Sequence, residues 1–480
     1  MLYVLALALF LYLLVWWRAE WPAGGEDSWN HFLYARWCLK HPELMLDQWG
    51  KPLFTIPAIP FAMFGIQGLY VFNILCCLGA GHLCYLTAKR LGMRLPWMAA
   101  VFFLFQPIVF GNVISGLTEP INAIFLAWIF YCFVSKRFLV GTILASLLPF
   151  FRSEGFVIII AIGVFLLASR KWKYLPFLLS GSFFYTLIFG IFWGNWGALV
   201  NLNPYIKHEV EGRFDPGHGN FWHYANGFQK IWGLLIALML LIAVVYLALH
   251  IVYLLRKRTQ EERSRLAFWL WSPVFLSFFL AHSFIWWNGS MGSHGLLRVF
   301  LVVAPAVALL AQYAFDRILS AELRFVNKYL PILTTVCTIY LAYNGNKIRL
   351  PWHDEPSIAG FPGSENIAKS IAFIQAHPAL KNKVVVHQLP FINAQQGWDP
   401  WAEIKETRTV YLWSLDKDPK KDWMPDSCVV IWDGFHAPRE ATMPLNIMQQ
   451  MPAYYEIAFF PAKDSIYDIR LFLKIKSTLH

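Results

Sequence analysis

Two adjacent carboxylates, Glu26 and Asp27, follow the apolar stretch 2–17, where a chain leaving a bilayer meets water. A carboxylate so placed can take the proton of a hydroxyl as a general base. Arg152 and Arg298 stand in the same way near the ends of apolar runs, and their planar paired donors suit a phosphate. Arg152 has Glu154 two residues on, in Phe-Arg-Ser-Glu-Gly, which fits either the wall of a polar cavity or a structural ion pair. Glu119, in Ser-Gly-Leu-Thr-Glu-Pro, opens a helical pattern, where a carboxylate also complements the positive end of the helix dipole. A capping role therefore competes with a functional one there. Glu119, Glu154, His218 and His294 are the candidates for contacting a substrate.

The polar stretch 201–229 gathers His208, Glu209, Glu211, Asp215, His218 and His223. These are metal-ligating types, but their spacing matches no ligand signature, so a divalent metal is possible and not favoured; a loop covering substrate fits better. No cofactor is implied with certainty. The seven cysteines show no metal spacing either. Cys76, Cys77, Cys84, Cys132 and Cys337 lie in apolar runs as small core residues; Cys38 and Cys428, both expected on the non-cytoplasmic side, could in principle pair, but nothing in their spacing suggests it.

The elements that must position these groups follow from composition. Of 480 residues, 58% are apolar, 18% aromatic and only 14% charged, well short of the charged share of a soluble enzyme. With a mean hydropathy of +0.47, the chain reads as a polytopic α-helical membrane protein. The net charge of +11 is what basic cytoplasmic loops supply, and without basic runs interleaved with aromatics it argues against a nucleic-acid partner. About eleven transmembrane helices are predicted, over 2–17, 69–88, 97–110, 116–134, 138–151, 155–169, 176–196, 231–255, 267–287, 299–315 and 330–343. The start lacks a basic region and a small-residue cleavage site, so the first span reads as a retained anchor.

Every second loop is basic: Lys89, Arg90 and Arg94; Lys136 and Arg137; Arg170, Lys171 and Lys173; Arg256 to Arg265; Arg317 to Lys328. The positive-inside bias puts these in the cytoplasm and all the candidate chemistry on the opposite side. Arg18 alone dissents. The spans 138–151 and 155–169 are short, so their connection, with Arg152 and Glu154, is expected below the outer membrane surface.

Beyond the last span the composition changes. Strands are predicted over 384–388, 408–413, 427–432, 454–460 and 469–476, with a helix over 365–376 capped by Ser364 and a linker at 351–363. The expected division is a transmembrane unit, 1–345, including a first outer loop, 18–67, and an outer soluble α/β domain, 346–480. That domain carries no catalytic motif and is expected to fold independently and tune acceptor use.

The first outer loop, with its acidic pair, then Trp49-Gly50-Lys51-Pro52-Leu53 and a closing Phe64-Gly65, resembles the GT-C membrane glycosyltransferases. It is most similar to the bacterial branch of protein mannosyltransferases and the lipid A aminoarabinose transferase. Thr118-Glu119-Pro120, Arg152-Ser153-Glu154-Gly155, and Arg298 followed by Pro305 extend the likeness across 1–315, while Lys-Pro-Leu departs from the usual Lys-Pro-Pro. The resemblance implies an inverting transferase using a polyprenyl-phosphate sugar and a hydroxyl acceptor on a glycan, lipid or protein. It implies Asp27 as base with Glu26 second, Arg152 and Arg298 at the donor phosphate, and Lys51 assisting them. It also implies a bacterial inner membrane with the site facing the periplasm. A polyprenyl-glycan flippase would instead show internal repeats, which are not evident; an O-antigen ligase or polymerase would share the arginines but not the acidic pair after the first span.

Overall fold

The computed structural model describes residues 1–204, 217–256, 261–321, 324–347, 350, 354, 361–403, 406, 408–414, 424–425 and 427–475. His208, Glu209, Glu211 and Asp215, Arg258, and most of the predicted linker lie outside these residues.

Helix α1 (Leu2–Arg18) enters as the hydropathy predicts. The first outer loop then folds into two helices of its own, α2 (Gly25–Trp37) and α3 (Pro52–Ala62), before the long α4 (Ile66–Arg90). Each predicted span meets helical structure, but many are broken. The segment 97–110 divides into Trp97–Leu104 and Pro107–Asn112, because Pro107 cannot continue a helix through Gln106. The segment 267–287 starts as a single π-turn, Ala267–Trp271. Four described helical runs, Ile66–Arg90, Trp172–Trp193, Glu262–Asn288 and Leu297–Ser320, are long and apolar enough to cross a bilayer; other apolar helices are shorter. The apolar stretch of the last of the four is wholly buried, as a central helix must be when its neighbours shield it from lipid.

The basic loops come together in space. Arg263 donates to the carbonyls of Leu91 at 3.0 Å and Gly92 at 2.9 Å and to Asp316 at 2.7 Å. Lys136 pairs with Glu262, and Arg317 with Glu261. The loops bearing the acidic pair and the arginines meet one another instead, and α4, about 37 Å long at 1.5 Å per residue, runs between the two groups. We predict that cysteines at positions 136 and 434 label from opposite sides of the membrane, with position 220 on the side of 434. Labelling of 136 and 434 from one side would overturn the alternation.

The tail forms one five-stranded sheet ordered β2-β1-β3-β5-β4, from β1 (Val385–His387), β2 (Thr409–Tyr411), β3 (Val429–Asp433), β4 (Tyr454–Phe460) and β5 (Ile469–Lys474). β1 pairs parallel with β2 and β3, whereas β5 pairs antiparallel with β3 and β4. The helix Ser364–Ala376 lies where predicted, but Gly363 is its cap residue and Ser364 already its first helical position. One apolar face of this sheet is completed by the membrane unit. Phe361, Phe391 and Ile392 share a buried cluster with Trp21, Trp29 and Phe32 of the first loop. Trp21 meets Phe391 edge-on at 4.9 Å, and Asp399 accepts from Lys40 and faces the His41 ring, each at 2.9 Å. Cys38 and Cys428 are both buried, and no disulfide joins them.

Candidate active site

Three backbone devices bring the outer loops together. Gly24 and Gly25 open α2 with φ of 83° and 54°, a left-handed turn that suits glycine. A Cβ on Gly24 would lie 2.5 Å from the Leu117 side chain. Ala23 and Ser115 form a parallel bridge, with the Ala23 N–H donating to Ile114 at 2.8 Å and the Gly116 N–H to the Ser28 hydroxyl at 3.0 Å. Asn73 of α4 closes the stitch by donating to the carbonyls of Ser115 at 2.8 Å and Leu117 at 3.2 Å. Asp27 and Glu119 therefore stand in fixed relation.

Asp47 shapes the next part. Its Oδ1 accepts from the backbone of Trp49 at 2.7 Å and Gly50 at 2.8 Å, and Lys51 follows at φ 64°, a conformation rare for a residue with a side chain. Pro52 then starts α3, its missing N–H costing nothing in the first turn. Arg152 sits where the chain turns tightly before Gly155; a Cβ there would lie 2.4 Å from the Leu148 carbonyl carbon. Buried Asp354 lies at the start of the tail, and its carboxylate accepts from the N–H groups of Leu297 at 3.2 Å and Arg298 at 3.4 Å, which holds the turn carrying Arg298.

These side chains line a cavity of about 560 Å³. Arg298 pairs with Asp27 and lies 3.7 Å from Glu119. Glu119, wholly buried, lies 2.8 Å from Arg152, which reaches Glu154 at 2.9 Å; His282 lies 3.8 Å from Glu154. The Lys51 ammonium donates to the Ser153 hydroxyl at 3.0 Å, beside Glu154. Three carboxylates thus face three cations in one chain that runs from wholly buried Glu119 to half-exposed Asp27. The lining also carries apolar side chains, among them Phe156, Val157, Leu199, Phe278 and Ile285.

Burial opposes ionisation of Asp27, but Arg298, His31 and His294 outweigh it and hold the carboxyl below its ordinary range. His31 is pushed down to about 3, first by burial and then by the surrounding cations, so it is neutral at physiological pH. Burial lowers Lys51 to about 8.

Of the residues singled out by sequence, Asp27, Lys51, Arg152, Glu154, Arg298 and His294 line the cavity, and Glu119 joins its two arginines from behind. Glu26 does not line it; its carboxyl faces His436, Asp433 and Glu440 of the tail. His218 packs beside Gly289, away from the cavity lining. Among the described residues no group of three or more His, Cys, Asp or Glu side chains is arranged to hold a metal ion. Sequence reasoning passed over His31, Trp49, Tyr224 and His282. His31 had a signal: it lies four residues after Asp27, on the same helix face, with its ring stacked on Trp49 at 4.7 Å.

No family model and no curated protein matches the chain in sequence. Solved structures do match in fold. ArnT from Cupriavidus metallidurans in the apo state aligns with a TM-score of 0.60 at 12% identity, over 98% of this chain and 97% of that one. The same protein bound to undecaprenyl phosphate gives 0.59 at 12% identity, over 99% and 98%. The Archaeoglobus fulgidus oligosaccharyltransferase, tethered with an acceptor peptide, gives 0.55 at 12% identity over 96% of this chain and 73% of its own. From its first helix through its tail sheet, the chain is a membrane protein with the GT-C fold, built on the pattern of the aminoarabinose transferase ArnT.

Proposed function

We propose that this protein is an inverting glycosyltransferase that moves a sugar from a polyprenyl phosphate to a hydroxyl acceptor on the outer face of a bacterial inner membrane. The observation that carries the reading is the convergence of Asp27, Arg298, Arg152 and Lys51 on one cavity whose lining is otherwise largely apolar. That apolar lining suits a prenyl chain, and the cations suit its phosphate. Fold likeness to a protein captured with undecaprenyl phosphate supports the same donor class.

The acceptor oxygen attacks the anomeric carbon from the side opposite the phosphate. The carbon–oxygen bond to phosphate breaks, its electrons stay on the polyprenyl phosphate, and the acceptor proton passes to Asp27. Charge balance links these events. With cations and carboxylates already matched, an entering phosphate is excess negative charge in a low-dielectric cavity. It competes for Arg298 and releases the Asp27 carboxylate, so a group held as a weak base becomes a stronger one when donor is bound. Arg152 and Lys51 then stabilise the charge that grows on the leaving phosphate. His294 and Glu154 are assigned to the sugar or acceptor. The tail, whose Trp401 ring meets Tyr34 at 4.9 Å, contributes to the acceptor side.

Incubation of the purified protein with a panel of radiolabelled polyprenyl-phosphate sugars is expected to consume at least one of them and release polyprenyl phosphate. Consumption of none, by protein that still binds polyprenyl phosphate, would favour a flippase over a transferase.

A further inference from the structure

On the side of α2 away from the cavity, Glu26 meets the tail. There the end of β3 presents Asp433, whose Oδ1 accepts from the backbone N–H of His436 at 2.6 Å and lies 3.0 Å from its ring Nδ1. The carboxylate can only accept, so Nδ1 carries the hydrogen and Nε2 is the nitrogen that gains or loses a proton. Both residues are buried. Glu440, at the exposed margin, accepts from Gln388 at 3.2 Å. The Oε2 of Glu26 is buried with no hydrogen-bond partner. Aromatic rings seal the junction: Trp21 lies on Phe391 at 4.9 Å and near Phe361 at 6.4 Å, and Phe361 lies 5.3 Å from the His436 ring.

Three acids, Glu26, Asp433 and Glu440, surround the one imidazole of His436, with Asp27 and the Tyr411 hydroxyl as the other titratable groups facing Glu26. Were every acid ionised and His436 neutral, the junction would hold three negative charges and no cation. Protons retained on Glu26 and His436 cut this to a single net negative charge. Tail and membrane unit share an apolar cluster at this seam, so the charge state of the seam decides how firmly they dock.

We propose that Glu26 on α2 and the Asp433–His436 pair on the tail form a proton-dependent clasp across the seam, and that through it the tail sets the position of Asp27, the chain neighbour of Glu26, in the cavity. Glu26, Asp433 and His436 are positioning residues; the effect on catalysis rests on the reading of Asp27 as base. The direction follows from the charges. Burial raises Glu26 from 4.5 to about 8 in the docked state. Burial works against the His436 cation, yet Asp433, Glu26 and Glu440 hold it up to about 9, from 6.5. Both groups keep protons in the docked state that the undocked state gives up, so docking is strongest at low pH. The contribution of Glu26 fades from pH 4.5 through 8, and that of His436 from 6.5 through 9.

Hydrogen exchange of the full-length protein, corrected for the pH dependence of the intrinsic rate, reads docking without requiring activity. Protection of peptides covering 21–37 and 429–440 is expected to fall between pH 7 and 9.5. Glu26→Gln, neutral at every pH and still able to hydrogen-bond, should keep that protection at the alkaline end. His436→Gln should lower protection throughout, remove the alkaline step, and reduce kcat about tenfold with KM for the donor within about twofold, as expected of a slightly misplaced base. An alkaline step that both variants leave in place, or wild-type protection that does not change with pH, overturns the clasp. If His436→Gln does not fold, Glu26→Gln alone decides. A step that moves in Glu26→Gln while no polyprenyl-phosphate sugar is ever consumed keeps the clasp and removes Asp27 as a transferase base. Turnover with no step does the reverse.

Discussion

Asp27→Asn is expected to lower turnover by about 10²–10⁴-fold, the range that a positioned general base contributes, while polyprenyl phosphate still binds. Asn keeps the size of the side chain and a contact to Arg298, so the cavity should keep its shape. Wild-type kcat/KM should fall at acid pH as Asp27 protonates, at a pH below the ordinary carboxylate range, because Arg298, His31 and His294 hold the folded group down against its burial. In Asp27→Asn that acid limb should vanish along with the rate. Glu26→Gln is the control, and near neutral pH it should be milder, since Glu26 faces the tail and burial already favours its neutral form. Radiolabelled donor consumption followed from pH 9 down to below pH 3.8 checks all of this. Near-normal turnover in both variants, in folded protein, would remove the acidic pair from the mechanism.

Arg298→Ala is expected to damage both stability and donor binding. The guanidinium is almost fully buried and pairs with Asp27 near Glu119, so truncation takes the partner from half-exposed Asp27 and leaves buried Glu119 to Arg152. Breaking a fully buried pair from one side costs about 3–5 kcal/mol, and the 44% exposure of the Asp27 side chain should bring this loss below that range. Polyprenyl phosphate also loses a charge-assisted hydrogen bond, about 1.5–3 kcal/mol, or roughly 10- to 150-fold in Kd. The two losses can be separated. Adding Glu119→Gln removes one stranded charge, so the double variant should recover part of the thermal stability but none of the phosphate affinity. Melting curves and titration of polyprenyl phosphate against tryptophan fluorescence, with Trp49 in the cavity wall, measure the two independently. Full affinity in Arg298→Ala would move the phosphate site elsewhere.

How much of this was legible in the sequence depends on the length scale of the signal. β4 was readable residue for residue, because its run of aromatic and aliphatic side chains ends at prolines on both sides. α3 was not, since Pro57 and Pro60 argue against a helix; Pro52 at its start and packing of Phe54 and Ala58 against the core outweigh them. Arg152 and Arg298 carried their chemistry in plain view, but nothing local says that residues so far apart share Glu119. Glu26 and Asp27 are indistinguishable by type and position. About 100° of helix rotation between neighbours sends one to the tail and the other to the cavity, and only packing decides which.

The aromatic seam between tail and first loop bears on how such proteins can be recombined. A tail exchanged at the end of the membrane unit would bring its own counterpart of Phe391 and Phe361 to a Trp21 and Trp29 shaped for different partners. Asp399 would be parted from Lys40 and His41 in the same cut. The natural unit of exchange is therefore discontinuous: the first loop, 18–67, travels with the tail, although some 280 residues of chain separate them. A lineage that altered acceptor preference by swapping tails alone would leave an ill-fitting seam next to Asp27, whereas one that moved both segments would carry the alignment of the site with it.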